Sequence, residues 1–214
     1  DLSGVVFKDG DRAGSAQECR SVDSLVIVST EGRAFTVPIA SLPDGRGMGA
    51  PLSSFVELGG GKIAHVLTGL PEDELLIAKT SGYGFICTFG DLLSRQKAGK
   101  AFLTVEEGAG ILPPVRLAGK DHLAALSEDG RLLIFPLEQM KRLASGKGVQ
   151  IIGLRDAESL RAVIAMQGSR VMIKGTARNR VKTLASEARH LALRARRGSP
   201  VGPMTNVTLE AYPE

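Results

Sequence analysis

The chain has 214 residues, with 27 Lys plus Arg against 23 Asp plus Glu, a formal charge of +4, and its length fits one or two domains. Hydrophobic residues make up 43% of it, enough for a core and too many for wholesale disorder, while no apolar run approaches the ~18 residues of a membrane helix. Trp is absent and the aromatic residues are two Tyr and seven Phe, which argues against holding single strands by base stacking.

The chain opens on Asp1-Leu2-Ser3-Gly4. Without Met it reads as a piece of a longer chain, and without basic or apolar stretches it is no secretory signal. Cys19 and Cys87 are too few for a disulfide framework or a thiolate metal site, so a cytoplasmic setting is expected. Residues 1–24 carry Val5-Val6-Phe7 and little else, and read as a partial unit.

From residue 25 onward, short apolar runs pair across turns. Residues 25–28 and 34–37 flank Thr30-Glu31-Gly32-Arg33; 75–78 and 85–88 flank Thr80-Ser81-Gly82-Tyr83; 123–126 and 132–135 flank Glu128-Asp129-Gly130-Arg131; 162–165 and 171–174 flank Met166-Gln167-Gly168-Ser169. Each predicts a β-hairpin whose turn needs a residue tolerant of positive φ. The turn glycines stand 50, 48 and 38 residues apart, which marks a repeat array.

After each of the first three hairpins come a short corner (39–42, 90–93, 137–140), a loop carrying Gly and positive charge, and a further strand (52–58, 101–105, 149–154). The loops are Arg46-Gly47-Met48-Gly49, Lys97-Ala98-Gly99-Lys100 and Gly146-Lys147-Gly148. In the fourth copy the basic loop falls at Arg194-Ala195-Arg196-Arg197-Gly198 and the closing strand at 207–210. The stretch 183–193 reads as a helical insertion capped by Thr183 or Ser186. Nothing resembles an interdomain linker, so 1–214 reads as one domain. About four strands per unit predict an all-β, propeller-like ring.

Charge is concentrated at the end: from Arg170 to Arg197 nine basic residues are opposed by Glu187 alone. This fits a polyanion partner or a basic solvated face.

The run Ser81-Gly82-Tyr83-Gly84-Phe85-Ile86-Cys87-Thr88-Phe89, continuing through Asp91-Leu92 to Ala98-Gly99-Lys100-Ala101, closely resembles the C-terminal domain of the A subunit of bacterial DNA topoisomerase IV. Pro113-Pro114-Val115, Leu133-Ile134-Phe135-Pro136 and Gly146-Lys147-Gly148 match as well. The resemblance spans about residues 20–155 and continues more loosely through Arg196-Arg197-Gly198. It implies a β-pinwheel, a propeller-shaped ring whose blades exchange strands, here with four full blades plus a partial one in an open or broken ring. It implies a non-catalytic domain that binds and bends duplex DNA and engages crossings to direct strand passage, decatenation and supercoil relaxation by a type IIA topoisomerase. The paralogous gyrase A domain, which wraps DNA, is the alternative; its Gln-Arg-Arg-Gly-Gly-Lys-Gly box does not occur here. By resemblance, the partners in the bacterial cytoplasm are the rest of the A subunit, the B subunit, and condensin-type chromosome proteins. ATP and Mg²⁺ serve the whole enzyme, and this chain is expected to carry no cofactor, metal or catalytic residue.

Basic Gly loops suit phosphate binding on their own physics: Gly lets backbone N–H groups approach an oxyanion, and Lys or Arg supplies charge. The candidate contacts are Arg46, Arg95, Lys97, Lys100, Lys141, Arg142, Lys147, Lys174, Arg178, Arg180, Lys182, Arg194, Arg196 and Arg197. The competing reading for any one of them is a surface cation without a ligand, and for the set a protein-interaction propeller with an acidic partner. Gly32, Gly82 and Gly130 read as turn residues, and Phe35, Phe85, Phe89, Phe102 and Phe135 as core. His65, His122 and His190 read as surface or satisfied histidines, His122 being set against Asp121 by strand alternation. Gly59-Gly60-Gly61-Lys62 lacks the spacing and hydroxyl of a phosphate loop. Tyr83 and Tyr212 are not placed as strand-passage nucleophiles.

Overall fold

The computed structural model describes residues 17–43 and 50–213. Short apolar runs and tight turns build four hairpins, with strands numbered in chain order: β1 (Ser24–Ser29) with β2 (Arg33–Pro38), β4 (Glu74–Ala78) with β5 (Tyr83–Thr88), β8 (His122–Ser127) with β9 (Arg131–Pro136), and β12 (Val171–Ala177) with β13 (Arg180–Ala185). A third strand joins the first strand of each: β3 (Ile63–Thr68), β7 (Val115–Arg116), β11 (Leu160–Met166) and β15 (Thr205–Ala211). A two-residue strand from the following unit then covers the second strand of the first three: β6 (Lys100–Ala101) on β2, β10 (Val149–Gln150) on β5, and β14 (Ser199–Pro200) on β9.

The resulting sheets run β3-β1-β2-β6, β10-β5-β4-β7, β11-β8-β9-β14 and β13-β12-β15, all antiparallel. This is the expected pinwheel of four sheets with exchanged strands. Because successive side chains in a strand face opposite ways, each central sheet feeds two cores. Val26, Val28 and Ala34 meet Phe85, Cys87 and Phe89 between the first and second sheets. Leu76 and Ile86 meet Leu133 and Phe135 between the second and third. Leu132 and Ile134 meet Val171 and Ile173 between the third and fourth. The five phenylalanines assigned to the core are all buried.

The two ends of the array are finished differently. On the first sheet, Ile27, Phe35 and Val37 are covered by Leu52, Phe55, Val56 and Leu58 of the same unit. On the fourth, the outward positions of β12 and its partners include Lys174, Thr183, Thr208 and Glu210, which are exposed. No core cluster among the described residues joins the first sheet to the fourth, so the sheets do not close into a ring.

Several expectations are corrected. The fourth hairpin is not folded about Gly168: residues 162–165 belong to β11, which pairs with β8, and the hairpin turns at Arg178-Asn179. Asn179 adopts φ 61 in place of a glycine, and the four turns then recur at about 49 residues, regular enough for one repeat. The stretch 183–193 holds no α-helix; it ends β13 and then makes a 3-10 turn, Ala188–His190, because pairing with β12 overrides an Ala- and Leu-rich local preference. Residues 52–58 form no strand. A 3-10 turn, Leu52–Ser54, follows Pro51 and folds the segment onto the sheet. The strands expected at 101–105 and 149–154 shrink to β6 and β10. Most of the partial unit, residues 1–16, and the loop Arg46-Gly47-Met48-Gly49 lie outside the described residues. Within 17–23 no strand forms; instead the Gln17 side chain donates to the carbonyl of Val66 at 2.7 Å and accepts from the N–H of Thr68, hydrogen-bonding to β3.

The corners hold as expected. In the second copy the corner is a short helix, α1 (Phe89–Leu92), where the Thr88 hydroxyl accepts from the Asp91 N–H and the Asp91 carboxylate accepts from the Thr88 N–H at 2.8 Å, a capping box.

Candidate functional site

β6, β10 and β14 are edge strands, so the basic loops that lead into them follow one rim of successive sheets. Each loop ends in a glycine of positive φ: Gly99 (62°), Gly148 (84°) and Gly198 (73°). A Cβ at Gly99 would fall 2.5 Å from the carbonyl oxygen of Ala34, and one at Gly198 2.6 Å from that of Leu132; Gly148 rests as closely on Gly84. Glycine is therefore required twice over, by backbone conformation and by close approach.

Two residues before each glycine, a carbonyl ties back to the preceding unit. The N–H groups of Glu57, Thr104 and Gly153 donate to the carbonyls of Lys97, Gly146 and Arg196 at 3.2, 3.1 and 2.9 Å. The glycines thus serve strand exchange. At Gly99 the N–H is spent on the carbonyl of Gln96 at 2.9 Å, so the loop offers a ligand its side chains more than its backbone.

Among the described candidate cations, five are engaged inside the molecule. Arg142 Nε donates to Glu74 Oε1 at 2.7 Å, and this hydrogen bond raises the Arg142 pKa further. Lys147 lies 3.4 Å from Glu106 and 4.5 Å from the centre of the Tyr83 ring. Lys174 pairs with Glu210 at 3.6 Å. Arg194 is a strut: its Nε donates to the carbonyl of Gln139 at 2.8 Å, its Nη1 to that of Gln150 at 2.5 Å, and its backbone N–H to Gln139 Oε1 at 2.7 Å. Arg197 Nη1 donates to Glu158 Oε2 at 2.7 Å, and the Glu158 side chain is only 2% exposed. Burial pushes the Glu158 carboxyl up, but the Arg155 N–H, the Ser127 hydroxyl and Arg197 hold it below the usual range.

The other eight form no ion pair among the described residues: Arg95, Lys97, Lys100, Lys141, Arg178, Arg180, Lys182 and Arg196. Seven are exposed or half-exposed and Lys100 is half-buried. Arg95, Lys97, Lys100, Lys141 and Arg196 sit on the segments leading to β6, β10 and β14. Arg178, Arg180 and Lys182 sit on the turn and outer strand of the fourth hairpin, at the corresponding edge of the last sheet.

Sequence reading overlooks Arg33 and Arg131. Arg33 Nη2 donates to the carbonyls of Ala98 (2.8 Å) and Gly99 (3.0 Å), and Arg131 Nη1 to that of Gly198 (3.0 Å). Each fastens the incoming loop. The signal available was the repeated Gly-Arg pair at the turn, Gly32-Arg33 and Gly130-Arg131.

The histidines make intramolecular contacts. His65 Nε2 lies 2.8 Å from the carbonyl oxygen of Ile111. His190 is buried, with Nδ1 accepting from the Glu187 N–H at 2.9 Å, and burial lowers its pKa. His122 Nδ1 does reach Asp121 Oδ1, at 2.9 Å, contrary to the alternation argument, because Asp121 precedes β8 and its carboxylate also accepts from the Gly168 N–H. Among the described residues no His, Cys, Asp and Glu side chains group to hold a metal ion, and no helix is long and apolar enough to cross a membrane.

The family model for the DNA gyrase C-terminal domain, a beta-propeller, matches residues 23–68 and 121–165. Each segment comprises one hairpin and its third strand, β1–β3 and β8 to β11, which agrees with assigning β11 to the third sheet. The solved E. coli ParC C-terminal domain superposes with a TM-score of 0.87 at 30% identity, over 98% of this chain and 89% of its own. The chain belongs to the family of C-terminal domains of topoisomerase IV A subunits. The A subunit of DNA topoisomerase 4 from Escherichia coli K12 is 38% identical over 163 residues, 75% of this chain and 22% of that protein. The corresponding Neisseria gonorrhoeae protein is 37% identical over 188 residues, 83% of this chain and 24% of that protein. The chain thus spans under a quarter of the length of these topoisomerase IV relatives. The solved gyrase A C-terminal domain, at 18% identity and a TM-score of 0.63, shares the fold.

Proposed function

We propose that the chain is a non-catalytic duplex-DNA-binding and bending domain of a type IIA topoisomerase, engaging DNA crossings for strand passage, decatenation and supercoil relaxation. The observation that supports this most is the rim of unpaired cations, recurring at one edge of successive sheets. Such cations neutralise phosphates and release counterions, giving sequence-independent, salt-sensitive binding. A curved rim with spaced cations bends the duplex. Bending 20–30 base pairs by 40–90° costs on the order of 1–6 kcal/mol, so several contacts must act together.

On this reading the chain works on the bacterial chromosome in the cytoplasm, joined to the remainder of its A subunit, with the B subunit in the same enzyme, and condensin-type contacts belong to the same setting. ATP and Mg²⁺ would serve the rest of the enzyme, and no residue here is assigned to cleavage.

The test is retention of linear and supercoiled duplex at about 50 and 200 mM salt, for the chain and for a variant with Lys97→Glu, Lys100→Glu and Arg196→Glu. Salt-sensitive binding lost in the variant is expected, and binding indifferent to salt would overturn the reading.

A further inference from the structure

Three of the four second hairpin strands are covered on their outer edge by one device. A positive-φ glycine (Gly99, Gly148 or Gly198) presses on the strand, and the two residues after it pair as β6, β10 or β14. In the first and third sheets an arginine at the start of the covered strand grips the carbonyl of that glycine at 3.0 Å. The fourth sheet repeats the receiving half of this joint. β13 begins with Arg180 directly after the turn, at the position of Arg33 and Arg131, and among the described residues no strand lies beyond it.

The edge chemistry is specific. The two-residue turn, with Arg178 at φ 50 and Asn179 at φ 61, makes Ala177 and Arg180 the first hydrogen-bonded pair. Val181 and Thr183 therefore turn their N–H and C=O groups away from β12, toward the bare edge. Val181 is 71% exposed. Arg178, Arg180 and Lys182 line a groove with Ala177, Val181 and Pro203.

We propose that the open edge of β13 is a docking site for an extended acidic peptide, added to the fourth sheet as the missing strand, with a glycine at Arg180 and carboxylates beside Arg178 and Lys182. An edge of alternating donors and acceptors is satisfied by another strand, which offers both; a phosphate backbone offers acceptors only. The three cations set the sign of the partner. They also oppose edge-to-edge pairing between two copies of β13.

The probe is a fluorescent peptide of residues 97–105, the molecule's own exchange segment, carrying Lys97→Glu and Lys100→Glu. Anisotropy with the intact chain is expected to show saturable binding. It should weaken roughly tenfold, the effect of about one lost hydrogen bond, when the peptide also carries Gly99→Val. The same loss is expected when the chain carries V181P, which removes one outward N–H and keeps every charge. DNA retention should be unchanged in V181P. Circular dichroism checks that V181P folds; if it does not, R180E with K182E and the Gly99→Val peptide decide. Peptide binding indifferent to both V181P and the glycine would reduce the edge to a charged patch and overturn the proposal. So would an edge that takes up DNA and no peptide.

Discussion

Lys79 Nζ sits 2.8 Å from Glu106 Oε2 and 2.6 Å from the carbonyl oxygen of Thr104, with its side chain wholly out of solvent. Lys79 directly follows β4, whereas Thr104 and Glu106 lie on the segment leaving β6. The pair therefore rivets the second hairpin to the chain that has just crossed from the first sheet. Ser81 adds a hydroxyl to the same carboxylate at 3.2 Å.

Lys79→Ala is expected to destabilise the chain by about 1–3 kcal/mol: it removes a buried, charge-assisted hydrogen-bond donor, while the Glu106 side chain, 33% exposed, keeps Ser81 and Lys147 as neighbours. Lys79→Met combined with Glu106→Leu should recover most of that loss. Urea unfolding of the two variants beside the parent measures both.

Acid should loosen the same rivet. Burial pushes the Glu106 carboxyl up, but hydrogen bonds from Lys79 and Ser81 outweigh it and bring it from 4.5 to about 2. A carboxyl depressed on folding stabilises above its unfolded value and ceases to do so as pH falls through the folded one. The chain should therefore lose stability from about pH 4.5 down to about 2, and Glu106→Gln should flatten that limb of the denaturation midpoint against pH.

His190 makes a second, separate limb. Burial lowers its pKa from 6.5, so the unfolded chain binds the extra proton first and stability falls as pH drops below 6.5. Nδ1 accepts from the Glu187 N–H, which the neutral ring permits. His190→Gln should be less stable at pH 8 and show a shallower fall as pH drops below 6.5, read from thermal midpoints.

The exchange glycines should be costlier to replace than other positive-φ glycines. Gly198→Ala combines a left-handed backbone with a Cβ 2.6 Å from the Leu132 carbonyl oxygen, for a loss of about 2–4 kcal/mol. Gly108, at φ 76 with open space around it, should lose only about 1 kcal/mol as Ala. Equal losses would show that close approach to the neighbouring sheet carries no weight.

Arg194 and Arg196 are two residues apart and should behave differently. Arg194→Ala removes donors from the carbonyls of Gln139 and Gln150 and should lower the urea midpoint. Arg196→Ala should leave the midpoint unchanged while reducing the salt slope of DNA binding by about 1.

Short apolar runs paired across Gly turns are strong local signals, and they made three hairpins, the corners and an all-β repeat array legible in the sequence; the pinwheel itself came from the family resemblance. The fourth hairpin hid behind a better-looking decoy. Residues 162–165 and Val171 flank Gly168 as hairpin arms would, yet β11 reaches back to β8, and the true turn has Asn179 where the others have glycine. The exchanged strands are two residues long and set by contacts 65 to 69 residues away, such as Arg33 with Ala101, so no local pattern announces them. For the same reason the cations could be found but not sorted. Nothing near Arg194 in sequence reveals the distant carbonyls that engage it, whereas its neighbour Arg196 is left unpaired.

Strand exchange also fixes a timetable for synthesis. Arg33 waits for Ala101, Tyr83 for Gln150, and Leu132 for Ser199. At about 5–20 residues per second from the ribosome, each nascent sheet stands with a raw edge for about 3–14 s before its successor arrives to seal it. The domain is therefore completed as shingles are laid, each row secured by the next, and a chain stalled between units leaves its newest row unfastened.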